Sequence, residues 1–309
     1  MQAKSSLNGP LFIGIAAVLW STDALFRRSL AQALHPTFIV FCEHLICILA
    51  LLPWMVKKYG RKIFDLKSRD WLGAALIGAG ASAIATVLYT ESFKLTNPSI
   101  VILLQKMQPL VVILIAAVFL KEIPPRIFFF WAAIALVAAL GVTFPGYQFE
   151  FSSGELQPST LGVIAALGAA VIWAIATVVG KVVLNDVPSD LTTFWRFVFG
   201  GLALVVLLAS HPEQITTHAL RPELIASLFY MALLSGLAAM LFYYAGLAKT
   251  PASTATLIEL IFPITAVALN AFVLHATLNH FQLAAGAVLV ISITQISRIK
   301  HLSGDIVRS

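Results

Sequence analysis

The chain has 309 residues, of which 60% are hydrophobic and only 11% charged, with a formal net charge of +6. Ordinary soluble domains carry roughly a quarter charged residues, so a mean hydropathy of +0.93 excludes a water-soluble globule and demands the bilayer as solvent. The positive charge lies mainly between apolar runs, which makes it a signal of membrane orientation and excludes a nucleic-acid footprint.

In chain order, ten mainly apolar stretches of membrane-spanning length stand out: 10–32, 37–56, 71–92, 98–120, 125–144, 159–183, 190–210, 223–248, 252–275 and 279–298. The first is a full span with no small-residue cleavage site before Arg27 and Arg28, so it is read as a helix and not as a signal peptide. The loops between spans leave no room for a soluble domain. With the N-terminus inside, the cytoplasmic segments hold fourteen Lys and Arg, from Lys4 through Lys57, Lys58, Arg61, Lys62, Lys67 and Arg69 to Arg308. The outer segments hold four, namely Arg27, Arg28, Lys94 and Arg221, which sets the orientation. Cys42 and Cys47 are five residues apart in one span, do not share a helix face, and read as free thiols.

The second half repeats the first. "AAVLWS" around Trp20 recurs as "AAVIWA" around Trp173 at an offset of 153, which also sets Glu43 against Arg196. One residue more aligns 88–109 with 242–263, matching Tyr89 to Tyr243, Ser99 to Ser253 and Pro109 to Pro263. Each half has an odd number of spans, so the halves are expected to be inverted, the arrangement used for alternating access around a midplane site. The expected division is 1–144 for the first five-helix repeat, 145–158 for an outer linker, 159–298 for the inverted repeat and 299–309 for a cytoplasmic tail.

Polar residues inside the spans are the candidate site. At about 1.5 Å per residue, Asp23, Glu43, His44 and Lys106 share one layer, and Arg196 and Glu259 share another near the opposite face. An unpaired ion there costs at least about 2.5–3.5 kcal/mol, so Glu43 is expected to pair with Lys106 and Arg196 with Glu259. Gln105 adjoins Lys106 and matches Glu259 in the repeat. Glu43, His44 and Asp23 are the proton-coupling candidates, since a desolvated carboxylate or an imidazole can titrate near neutrality. Pro109 and Pro263 would free the carbonyls of Gln105 and Glu259 and serve as hinges. Trp20, Trp173, Tyr89 and Tyr243 occupy matched positions and could hold a flat or amphipathic solute.

These features, with Arg196 in "FWRFVFGGLAL", the stretch "GLAKTPASTATLIELIFPITAVAL" and "LKE" ending at Glu122, resemble the drug/metabolite transporter superfamily, EamA type, over nearly the whole length. The resemblance implies a multi-pass carrier of the bacterial inner membrane, commonly exporting amino acids or related metabolites and sometimes aromatic ones. The chain departs from the pattern at Glu43 and His44, where an arginine is more usual, and at Ala276, which stands where the first half has Glu122. The expectation is an all-α integral membrane protein and a secondary transporter, with a small-molecule substrate, lipids, protons as a possible coupling ion, and a monomeric or homodimeric state. A polytopic membrane enzyme, or an importer or exchanger of a different metabolite with the same fold, is the alternative. No cofactor, metal or nucleic acid is expected. A Walker-type loop is absent from the sequence, and "CEHLIC" lacks the spacing of a membrane metalloenzyme.

Overall fold

This computed structural model describes residues 8–95, 101, 104–105, 107–143, 160–217, 220–262, 264–265, 268–269, 280–299 and 302–303. Helices α1 (Asn8–Ser21), α2 (Ala24–Ala33) and α3 (Pro36–Tyr59) open the chain. α3 ends at Gly60, whose φ of 53° and ψ of −130° suit glycine alone. α4 (Ser68–Ala75) runs through a π-helical segment (Leu76–Ile84) into α5 (Ala85–Leu95). α6 (Gln108–Phe119), strand β1 (Glu122–Ile123) and α7 (Arg126–Thr143) follow. The later part holds α8 (Thr160–Val183), α9 (Ser189–Ser210), α10 (Pro222–Tyr230), a second π segment (Met231–Ala238), α11 (Ala239–Leu247), α12 (Ala252–Ile258) and α13 (His280–Arg298). Strand β2 (Leu302–Ser303) pairs antiparallel with β1.

Among the described residues six helices are long and apolar enough to cross a membrane: Pro36–Phe64, Ser68–Ser92, Thr160–Val183, Ser189–Ser210, Pro222–Leu247 and His280–Arg298. Asn8–Ser21, Gln108–Phe119 and Arg126–Val142 are shorter apolar helices. Large apolar side chains such as Leu49, Leu114, Phe119, Leu161 and Val206 point outward, as a lipid-facing surface requires.

The first expected span is not one helix. Ser21 Oγ donates to Val18 O (2.6 Å) and Thr22 Oγ1 to Leu19 O (2.7 Å), and these hydroxyls compete with the backbone ladder. Thr22 and Asp23 fall back on i→i−3 bonds, so the helix breaks before Ala24. The matching positions in α8 are Ala174, Ile175 and Ala176, which have no such hydroxyls, and α8 runs unbroken. Pro109 likewise does not kink a helix interior. It sits in the first turn of α6, where its missing N–H removes no bond. The carbonyl of Glu259 is not free either, because Phe262 N–H donates to it at 3.0 Å. Pro263 and Lys106 lie outside the described residues.

Helices pack in reciprocal pairs. α1 lies against α11 as α8 lies against α5, α9 crosses the first π segment as α3 crosses the second, and α7 packs on α13. At the crossing of α9, a Cβ on Gly78 would stand 2.5 Å from Phe199 Cβ and 2.7 Å from Arg196 O, so only glycine permits this approach. The π turns also release carbonyls to neighbouring helices: Ala81 O accepts from Trp173 Nε1 at 2.9 Å, and Ala232 O from Cys47 Sγ at 3.1 Å.

Candidate functional site

Among the ring contacts that bridge the halves, two join residues matched by the sequence repeat. Trp20 on α1 meets Tyr243 on α11 at a centroid distance of 5.1 Å and 52° between planes. Tyr89 on α5 meets Trp173 on α8 at 5.1 Å and 59°. Both are tilted contacts of the kind ring quadrupoles favour. The Tyr243 hydroxyl lies 3.1 Å from Thr177 Oγ1 and faces Glu259. Glu259 stands just past the end of α12, and its buried Oε1 has no hydrogen-bond partner among the described residues. A buried carboxylate oxygen left in this way favours any incoming N–H, O–H or proton.

The residues of the first polar layer divide into two clusters. Arg27 on α2 is held by Asp23 through Nε and through Nη2–Oδ1 at 2.9 Å, and the same Nη2 reaches Glu43 Oε1 at 3.2 Å. Nη1 donates to Thr90 Oγ1 at 3.3 Å, and Ser235 Oγ donates to Asp23 Oδ1 at 3.4 Å. Glu43 is therefore paired with Arg27, a residue the charge count had assigned to the outer interface. The signal was available: Asp23 and Arg27 are spaced i, i+4 on one helix face. The expected partner, Lys106, cannot be placed because it lies outside the described residues.

His44 turns away from this cluster. Its Nδ1 lies 2.7 Å from Val40 O and its Nε2 2.9 Å from Ser82 Oγ. A carbonyl only accepts, so Nδ1 carries the proton. Ser82 Oγ accepts from Arg196 Nε at 3.1 Å, leaving its own hydrogen for His44 Nε2. His44 is thus linked to Arg196 through the Ser82 hydroxyl. Arg196 also donates through Nη1 to the Tyr244 hydroxyl at 2.9 Å, with its guanidinium carbon 5.9 Å from that ring's centre.

The expected Arg196–Glu259 ion pair is not formed: Arg196 has Ser82 and Tyr244 as partners, and Glu259 has Tyr243 beside it. Equal depth put the two together, but the faces of their helices differ. Gln105 is tied to α8, its Nε2 donating to Ala166 O at 3.1 Å. Of the sequence-derived candidates, then, Trp20, Tyr243 and Glu259 converge, Tyr89 pairs with Trp173, and Asp23 joins Glu43 through Arg27.

Helices of membrane-spanning length, packed as two halves bridged by aromatic contacts, define a polytopic membrane protein. The chain belongs to the EamA-like transporter family, whose model matches residues 7–144 and 160–298. It is 30% identical over 301 residues to the riboflavin transporter ImpX of Fusobacterium nucleatum subsp. nucleatum, covering 95% of this chain and 98% of that one. An uncharacterized transporter of Clostridium kluyveri is 26% identical, over 92% of this chain and 91% of its own. A solved crystal structure shares the fold with a TM-score of 0.75 and 17% identity, covering 94% of this chain and 97% of that one.

Proposed function

We propose that the protein is a secondary active transporter of the bacterial inner membrane that moves a small amphipathic metabolite by alternating access of two inverted five-helix halves. The reading is supported by the recurrence of helix starts: Pro36 and Ser189 are 153 apart, and Ala85 and Ala239 are 154 apart. The reciprocal packing of α1 on α11 and α8 on α5 supports it too.

The observation that carries the substrate class is the unpartnered Oε1 of Glu259 beside the Trp20–Tyr243 pair. Aromatic faces beside a hydrogen-bond acceptor suit a flat heteroaromatic solute with N–H or hydroxyl donors. Riboflavin has that chemistry, and it is the solute named for the Fusobacterium relative. Export of an amino acid is the second reading, favoured by the same carboxylate, which would take an ammonium group. Glu43 and Asp23, two carboxylates on the single Arg27 guanidinium, are the proton-coupling candidates. His44 serves to hold Ser82 and Arg196 in place. Pro109 and Pro263 are the proposed hinges.

Flavin fluorescence on titration with the purified protein tests the substrate class. Saturable quenching that Trp20→Ala weakens and a mixture of amino acids does not displace is the expected result. Displacement by an amino acid, with no quenching by riboflavin, would replace the first reading by the second.

A further inference from the structure

The contacts at one end of the molecule form a clasp between the halves. Lys58 and the Tyr59 hydroxyl (2.8 Å) both hold Asp190, and Lys67 (3.2 Å) and Arg69 (2.6 Å) both hold Asp186. These are the only ion pairs between the halves among the described residues. At the same end, Glu122 spans from the first half to the second. Its Oε1 accepts from Ala252 N–H at 2.9 Å, and its Oε2 from Ser253 N–H at 3.0 Å and Ser253 Oγ at 2.7 Å.

Three donors from a single two-residue segment converge on that carboxylate. The turn that aims it is strained: Lys121 has φ of 53°, a left-handed conformation that a lysine adopts only when its surroundings impose it. From α8, Lys181 Nζ donates to Leu247 O (2.7 Å) and Ala248 O (3.1 Å), within electrostatic reach of Glu122. The segment 247–253 is therefore gripped by a base and an acid together. The sequence repeat gives the second half Ala276 at the position of Glu122.

We infer that Glu122 is the latch of the cytoplasmic gate: its carboxylate on Ala252 and Ser253 holds that gate shut in the resting protein, and each transport cycle requires its release. The inference rests on the alternating-access reading and on the orientation set by the Lys and Arg count. The latch gives it a direction, because holding the cytoplasmic gate shut biases the empty carrier toward the outward-facing state. Glu122 acts here as a positioning residue and does not touch the solute.

Spin labels at Arg126→Cys and Lys249→Cys, both exposed, report the gap across this gate once Cys42 and Cys47 are replaced by alanine. The unaltered latch should give one short distance. The isosteric Glu122→Gln should raise the open-to-closed ratio about tenfold, since charge-assisted hydrogen bonds are lost. Ser253→Ala, which removes one of the three donors, should move it the same way and less. An unchanged distance distribution in both variants, with the protein folded by gel filtration, would overturn the latch. A shifted distribution in a protein that moves no solute would leave the latch standing and sink the transport reading instead.

Discussion

Trp20 and Tyr243 meet at 5.1 Å with their planes 52° apart, and their repeat counterparts Trp173 and Tyr89 meet at the same distance with planes 59° apart. Each pair takes its tryptophan from the first span of one half and its tyrosine from the third span of the other. The contact that could line a solute path is thus also one that ties the halves together.

Truncating one member should therefore weaken both solute binding and stability. Trp20→Ala forfeits about 0.5–1.5 kcal/mol of ring contact beyond its area, and the apparent affinity for a flat solute should fall about tenfold. Trp173→Ala should weaken affinity by a similar factor if both pairs face the path, and by little if only the Glu259 side does. Initial transport rates across a range of solute concentrations separate the two outcomes.

Arg27 is the keystone of the first polar cluster, with a side chain only 12% exposed. Arg27→Met strands Asp23 and Glu43 together, and removing one partner of a buried pair costs about 3–5 kcal/mol. The thermal midpoint should drop markedly. Neutralising all three, with Asp23→Asn and Glu43→Gln added, should recover most of the stability while leaving transport insensitive to a pH gradient. A triple variant that still responds to the gradient would remove these carboxylates from the coupling step.

Depth along a span was legible in the sequence, and azimuth was not. Counting residues placed Glu43 and Asp23 in one layer, and they share Arg27. The same count paired Arg196 with Glu259, which sit on helix faces that do not meet, since Arg196 on α9 bonds Ser82 of the first π segment. The π turns themselves, at Leu76–Ile84 and Met231–Ala238, leave no mark in composition because small and apolar residues fit α and π windings alike. The aromatic pairs were foreshadowed by a repeat in register, which carries information about faces that a single span lacks.

The break in the first helix has a local cause that can be tested directly. Ser21→Ala with Thr22→Ile copies the unbroken second half at these positions and removes the two hydroxyls that draw off the Val18 and Leu19 carbonyls. Amide exchange over residues 22–27 should slow about tenfold as the ladder closes. Unchanged exchange would mean that packing, and not the hydroxyls, imposes the break.

The crossing at Gly78 should tolerate nothing larger. Gly78→Ala drives a methyl group to 2.7 Å from the Arg196 carbonyl and 2.9 Å from Gly200 N, both backbone atoms. Overpacking of this kind costs about 1–3 kcal/mol, and it shifts the helix that carries Arg196. Lower thermal stability with weakened transport is the expected result. A variant as stable as the parent would show that the two helices can part freely.

Counterflow in proteoliposomes tests the central claim most directly. Vesicles loaded with unlabelled riboflavin should accumulate labelled riboflavin transiently, more slowly with Glu259→Gln or Trp20→Ala, and a pH gradient should alter the net flux. No solute-dependent exchange with riboflavin, with a panel of amino acids or with other small metabolites would contradict the assignment as a carrier.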